Sequence, residues 1–217
     1  MEDVKVRNIY TERLDLRIPT MSEQKRLCEI LCIEEVNRYY FPTPDRIFNK
    51  HNLSKDSVED LKKAREIFIS QLSDWERQKP FYEDKVKKIQ EGVDSQKFTW
   101  SIFLKDSDTV IGQITCQPKD GNPPYIRDMG WYIDSSYQHN GYCTEAGYAM
   151  LDYMFNEVGI EKIITGCADI NESSWKILEK FGFEFIGERP FEYLEGDRFL
   201  NLREYYCTKE LLKKKVR

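Results

Sequence analysis

No stretch of the 217-residue chain approaches the roughly 18 consecutive apolar residues that a membrane span requires. The opening "MEDVKVRNIYTERLDLRIP" also lacks the apolar core of a secretory leader. A cytoplasmic protein with no membrane partner is the expectation. Histidine is scarce, at two residues, His51 and His139. Of the six cysteines only Cys28 and Cys32 are close, one helical turn apart, with no second pair and no histidine beside them. A zinc tetrahedron therefore lacks ligands and no metal is expected; without an export signal the cysteines read as thiols. Cationic excess is missing too: 33 Lys and Arg stand against 38 Asp and Glu, a formal net charge of −5, so no nucleic-acid partner is expected. Neither familiar nucleotide loop, G-x-x-x-x-G-K-[ST] or G-x-G-x-x-G, occurs. With no repeat and no low-complexity linker, one domain over residues 1–217 is the simplest organisation.

What is there begins with "RLDLRIP", where Leu14, Leu16 and Ile18 alternate with Arg13, Asp15 and Arg17, a half-buried first strand that Pro19 ends. "TMSEQKRLCEILC" reads as a helix with Leu27, Ile30 and Leu31 on one face, broken by "FPTPD". "SKDSVEDLKKAREIFISQLSDWERQKP" is the most helical segment: Ser57 and Asp60 fit a cap, Val58, Leu61, Phe68, Leu72 and Trp75 form a stripe, and Pro80 closes it. The polar "YEDKVKKIQEGVDSQ" extends it as a solvated face and then an exposed loop, giving a helical elaboration at about residues 50–95. From Phe98 the runs "FTWSIFLKD", "TVIGQITCQP" and "YIRDMGWYID", separated by "DSD" and "KDGNPP", make an antiparallel meander. A helix over 144–158 follows, with Ala146, Ala149, Met150, Tyr153 and Met154 available for packing. Then come the strand "KIITGCAD", the short helix "ESSWKILEKFG" stopped by Gly182, and the strands "FEFIGERPFEY" and "FLNLREYYCTK". Helices do not alternate with every strand, so the class is α+β rather than doubly wound.

Between the third strand of the meander and the next helix lies "YQHNGYCTEA". The first amides of a helix have no helical partner and carry the positive end of its dipole. Amides from Gln138 to Thr144 could therefore face phosphate oxygens, with Gly141 free to take a positive φ. A plain strand-to-helix turn is the competing reading of the loop alone.

The loop "QHNGYCTEA" resembles the acyl-CoA pyrophosphate loop Q/R-x-x-G-x-G/A of the GNAT N-acetyltransferases, with Cys143 at the last small position. "DMGWYID" resembles the family's fourth strand, "NESSWKILEKFGF" its N-x-x-S-x-x-x-L-E-K-x-G-F signature, and "TERLDLRIPT" the opening of the Rim-type subgroup, whose best-known members acetylate N-termini of ribosomal proteins. The resemblance spans roughly Thr11 to Tyr206. It implies a GNAT acyl-CoA N-acyltransferase fold, a mixed central sheet of about seven strands splayed between the fourth and fifth and flanked by helices. Acetyl-CoA would be the cosubstrate, with Trp131, Tyr132 and Ile133 meeting the pantetheine and acetyl end through their backbone. Gln138, His139, Asn140, Gly141, Tyr142, Cys143 and Thr144 would hold the pyrophosphate, and Asn171 and Ser174 would approach from the far side.

An amine attacking a thioester must arrive neutral, the developing oxyanion needs a donor, and a thiol of pKa about 8.5 leaves readily. The resemblance implies a backbone N–H near Tyr132 or Ile133 as that donor and Asp128 as the acceptor of the amine's proton; Glu184 is a second candidate base. Ser174 could donate to the departing sulfur, because Leu178 stands where many relatives carry a tyrosine. Each has a structural alternative: Asp128 paired with a cation, Glu184 exposed at a strand start, Ser174 bonding its own helix. Glu145, in the first turn of the helix, reads as structural, and Trp175, Phe181, Phe183 and Phe185 read as core. The implied activity is transfer of acetyl from acetyl-CoA to a primary amine, a protein N-terminus or a small molecule, by a monomer or homodimer. A non-catalytic acyl-CoA-binding regulatory domain and an interaction scaffold built on the long helix are the alternatives. The acceptor would be chosen by the first helices, the 41–95 segment and the hairpin around "EYLEGDRF".

Overall fold

A computed structural model describes residues 6–39, 45–91, 97–195 and 198–215. Two short strands come first, β1 (Ile9–Tyr10) and β2 (Leu14–Arg17). Leu14 and Leu16 enter the core as the alternation predicts, but Asp15 on the opposite face is also buried. The Arg17 guanidinium reaches its carboxylate at 2.9 Å, which makes that burial tolerable.

The helical region comprises α1 (Gln24–Cys32), α2 (Glu34–Asn37), α3 (Asp45–His51), α4 (Val58–Ser73) and α5 (Trp75–Gln90). Leu27, Ile30 and Leu31 of α1 are buried, and the Ser57 hydroxyl accepts from the Asp60 amide at 3.2 Å, the predicted cap. The single helix closed by Pro80 is corrected to two. Asp74 leaves helical geometry (φ −81°, ψ 89°), and its carboxylate accepts from the Arg77 amide at 3.2 Å, nucleating α5. Pro80 lies in the second turn of α5, where its missing N–H forfeits one early bond to the solvent-facing Glu76. The predicted breaks at 41–44 and 92–96 lie outside the described residues.

The meander is as read: β3 (Phe98–Leu104), β4 (Val110–Pro118) and β5 (Ile126–Ile133) pair antiparallel in sequence. A 3₁₀ turn (Ser135–Tyr137) leads to α6 (Tyr142–Tyr153), which starts two residues before the predicted Thr144 and runs into a π-helical turn at Met154–Val158. Then follow β6 (Lys162–Ala168), α7 (Glu172–Phe181), β7 (Glu184–Glu195), β8 (Arg198–Thr208) and α8 (Lys209–Lys215). The tip of the β7–β8 hairpin, 196–197, lies outside the described residues.

One mixed sheet contains all eight strands in the order β1-β2-β3-β4-β5-β6-β8-β7. The strand beyond the predicted seven is β1, so the splayed pair predicted as fourth and fifth is the one numbered β5 and β6 here. They are the parallel neighbours, and they pair only at Ile126–Lys162 and Arg127–Ile163 before diverging. Period-two alternation divides the sheet's faces. Met129 and Ile133 join a core with Ala146 and Met150 of α6 and Leu178 and Phe181 of α7. Tyr132 goes the other way, to Leu27 and Leu31 of α1, Leu72 of α4 and Tyr82 of α5. Gly147 lets α6 and α7 approach, because a Cβ there would stand 2.1 Å from the Phe181 ring. Among the described residues no helix is long and apolar enough to cross a membrane.

Candidate active site

The strand-to-helix loop is built by conformations that few residues adopt. His139 has φ 63°, and Gly141, the N-cap of α6, has φ 79°, a left-handed value that suits glycine. The first helical bond is donated by Glu145 to the Gly141 carbonyl at 3.0 Å. The amides of Tyr142, Cys143 and Thr144 therefore have no helical acceptor and project from the positive end of the dipole. Gln138 uses its amide to close the 3₁₀ turn onto Ser135 (3.3 Å) and its side chain to hold the Ile133 carbonyl (3.0 Å). The Asn140 side chain ties back to the Gln138 carbonyl at 2.9 Å.

Long-range contacts invisible in the loop sequence lock it from outside. Glu145 accepts from the Thr11 hydroxyl (2.6 Å), the Arg13 amide (2.9 Å) and the Arg13 Nε (2.7 Å). Arg13 also donates to the Asn140 carbonyl at 3.0 Å and lies 4.9 Å over the Tyr142 ring. Burial opposes ionisation of Glu145, but the bonds from Thr11 and Arg13 outweigh it and hold the carboxyl below its ordinary value. Glu145 is thus turned away from the loop's mouth, in the structural role expected of it. Asp134, 1% exposed, caps the 3₁₀ turn through the Ser136 amide (2.9 Å) and pairs with Arg26 of α1. The opening "TERL" is the one sequence signal that points toward Arg13.

The other predicted residues divide by position. Trp131 packs edge-on against Phe181 at 6.4 Å, on the α6–α7 side of the sheet. Asp128 has the alternation of Tyr132, so it belongs to the α1 side, just past the point where β5 leaves β6. Burial raises its carboxyl pKa, against the opposing effects of Lys119, the Thr165 side chain, the Met129 amide (2.9 Å) and Gln117. Thr165 of β6 spans the split, its hydroxyl donating to the Met129 carbonyl at 2.9 Å.

Glu184 is not brought to this point. It opens the outermost strand, exposed, and accepts from the Tyr206 hydroxyl at 2.5 Å. Three strand spacings, about 14 Å, separate β7 from β5. Asn171 caps α7, its side chain accepting the Ser174 amide at 3.2 Å, and the Ser174 hydroxyl is half-exposed at the same turn. Phe181 and Phe183 are buried as expected, whereas Phe185 is 49% exposed. It stands at the sheet's outer margin, where it covers Tyr205 and the Arg203 guanidinium instead of entering the core. All six cysteines are free thiols, and burial pushes Cys167 up to about 12. Among the described residues no group of three or more His, Cys, Asp and Glu is arranged to hold a metal.

Comparison with known proteins places this geometry. Residues 13–184 match the family described as the acetyltransferase (GNAT) domain. Over 96 residues the chain is 33% identical to the uncharacterized N-acetyltransferase YnaD of Bacillus subtilis, a stretch covering 44% of this chain and about half, 54%, of that relative. The ribosomal-protein-S5-alanine acetyltransferase of Vibrio fischeri superposes with a TM-score of 0.68 at 16% identity, over 94% of this chain and 97% of that one. Mycobacterium smegmatis RimJ, solved with a CoA disulfide, gives 0.67 at 16% identity, over 92% of this chain and 83% of its own. At such identities the likeness is one of fold, and the Rim-type enzymes are among its neighbours. The family match, which spans most of the sequence and includes the capped loop, the split and Asp128, shows that the chain belongs to the GNAT acetyltransferase family.

Proposed function

We propose that the chain binds acetyl-CoA across the β5–β6 split and transfers the acetyl group to a primary amine by direct attack on the thioester. The observation that carries this reading is one juxtaposition. A parallel pair stops after two registers, beside a helix whose cap is a left-handed glycine. Strands that diverge leave main-chain groups for an extended arm to pair with, and the helix start offers amides to a pyrophosphate. That RimJ was solved with a CoA disulfide supports the choice of nucleotide.

Acetyl-CoA supplies the activated acyl group, and the chain's residues supply position and proton traffic. The amides of Gly141 to Thr144 hold the pyrophosphate, and the backbone of Trp131 to Ile133 aligns the arm, with an N–H near Tyr132 or Ile133 at the developing oxyanion. Asp128, with its raised pKa, takes the amine's proton directly or through water. Ser174 is the nearby hydroxyl for the departing sulfur. The acceptor enters from the α1 side, past α1 to α5 and the last hairpin, and is a protein N-terminus or a small amine.

Calorimetric titration with acetyl-CoA of the wild type and of Gly141→Trp tests the reading. Micromolar binding that the variant loses, followed by CoA release with an amine, is the expected result. A folded wild type that binds no acetyl-CoA would sink it.

A further inference from the structure

Across the split from β5, besides the charged Arg203 Nε, which lies 3.4 Å from a Glu188 carboxylate oxygen, the wall formed by β6, β8 and α7 holds two neutral hydrogen-bond donors without an acceptor. The Tyr205 hydroxyl on β8 and the Trp175 indole Nε1–H on α7 are both shielded from solvent, and neither has a hydrogen-bond partner. Tyr205 is 0% exposed as a whole.

Their placement follows from the ladder. Tyr205 is the cross-strand partner of Thr165, the residue that reaches across the split to Met129. Opposed residues of an antiparallel pair share a face, so Tyr205 stands one strand from the closed end of the split, on the α6–α7 side where Met129 and Leu178 pack. Trp175 lies farther toward the mouth. The Arg203 guanidinium is 5.0 Å over its ring and 5.7 Å over that of Tyr205, and Arg203 pairs with Cys167 near the open end of β6. The two donors therefore line one wall in series, from closed end to mouth.

A buried donor left unsatisfied costs more than a made bond returns, and native proteins keep few of them without a reason. Both donors here are neutral and suited to carbonyl oxygens. Burial raises the Tyr205 phenol, with Arg203 opposing, so the hydroxyl keeps its proton. An acyl-pantetheine is a chain of carbonyl acceptors, two amides and then a thioester. Building on the acyl-CoA reading, we propose that Tyr205 donates to the thioester end of the arm and Trp175 to an amide carbonyl farther out. Leu178, buried on the same side, offers no donor; Tyr205 supplies one from the sheet to the thioester carbonyl, and the departing sulfur is left to Ser174.

The test uses the full chain and two probes: acetyl-CoA, and 3′-phosphoadenosine 5′-diphosphate, which lacks the arm. Tyr205→Phe keeps the ring and removes the donor; Trp175→Phe removes the donor and keeps a smaller aromatic face under Arg203. Both variants should bind the nucleotide fragment as the wild type does and bind acetyl-CoA about three- to tenfold more weakly, the range for a lost neutral hydrogen bond. Because Tyr205→Phe removes an orphan hydroxyl, it should melt no lower than the wild type without ligand. A readout free of substitutions is the Trp175 indole ¹H–¹⁵N resonance, which should move downfield with acetyl-CoA and stay in place with the fragment. Unchanged acetyl-CoA affinity in both variants, or an indole resonance that does not move, overturns this inference and leaves the acetyltransferase reading intact. A wild type that binds the fragment but gains nothing from the arm overturns both.

Discussion

Asp128 is the proposed proton acceptor, and its role can be tested at the level of the single residue. Its carboxyl is held above the ordinary value of 3.8 chiefly by burial. A folded pKa above the unfolded one is a stability penalty, full above the folded pKa and gone below the unfolded one. The same shift makes the carboxylate a better proton acceptor near neutrality. Asp128→Asn should lower kcat by roughly 10²-fold or more while leaving acetyl-CoA affinity unchanged, and the rise of kcat/KM with pH should disappear. At pH 7 the variant should melt no lower than the wild type, with any gain shrinking as pH falls through the carboxylate range. A variant with wild-type kcat and an unaltered pH profile would remove Asp128 from the reaction. Asp128 could be named from sequence because it stands two residues before Gly130. Thr165, which braces the same point, gave no such signal, since a threonine in an apolar strand reads as one more β-branched residue.

At the scale of elements, α6 depends on contacts made far away in the chain. Thr11 and Arg13, in the turn between β1 and β2, fix the first turn of α6 through Glu145, and Arg13 fixes the loop through Asn140. Arg13→Ala should therefore raise the Kd for acetyl-CoA about tenfold with little effect on kcat at saturation, the signature of lost ground-state binding. Arg13→Lys should recover only part of it, because one ammonium cannot serve both the carboxylate and the carbonyl. Titration of acetyl-CoA into the three proteins, with saturating kinetics, checks this. The Glu145 contribution to stability should be full above the ordinary glutamate pKa of 4.5 and fade as pH drops below it, because its folded value is lowered.

Legibility followed the range of the signals. The meander, the start of α4 and the end of α7 were readable because period-two alternation, Ser57 and Gly182 act locally. The division of α4 from α5 was missed because Asp74 interrupts an otherwise helical composition, and Pro80 drew attention to the wrong residue. The short β1, α2 and α3 and the terminal α8 have too few residues for periodicity to register. The Arg13–Glu145 bracket spans 132 positions, beyond any local pattern.

For the whole molecule, the arrangement is two blocks of sheet, β1 to β5 and β6 with β8 and β7, joined by a short parallel seam and by Thr165. A ligand lying across that seam binds only the assembled chain. Acetyl-CoA at a hundred times its Kd should stabilise the fold by about 2.7 kcal/mol. For a chain of this length that corresponds to a rise in Tm of roughly 5–10 °C, readable by thermal-shift fluorimetry, and Gly141→Trp should abolish it. The helices α4 and α5 pack beside α1, α3 packs on α4, and α4 approaches β7, so this group covers the face opposite α6 and α7, the face from which the proposed acceptor would enter.

The seam has one more consequence. A strand edge with unpaired main chain is a template for any extended peptide, and proteins blunt the edges at their periphery with charge, proline or a covering loop. This chain carries two such edges in its interior, facing each other along the mouth of β5 and β6. Their place in the interior of the sheet, with α6 and α7 packed on one face, keeps them from the periphery where edge-to-edge pairing occurs. On the proposed reading, the fold keeps a vacancy for a ninth strand and lends it, once per turnover, to something that is not a polypeptide.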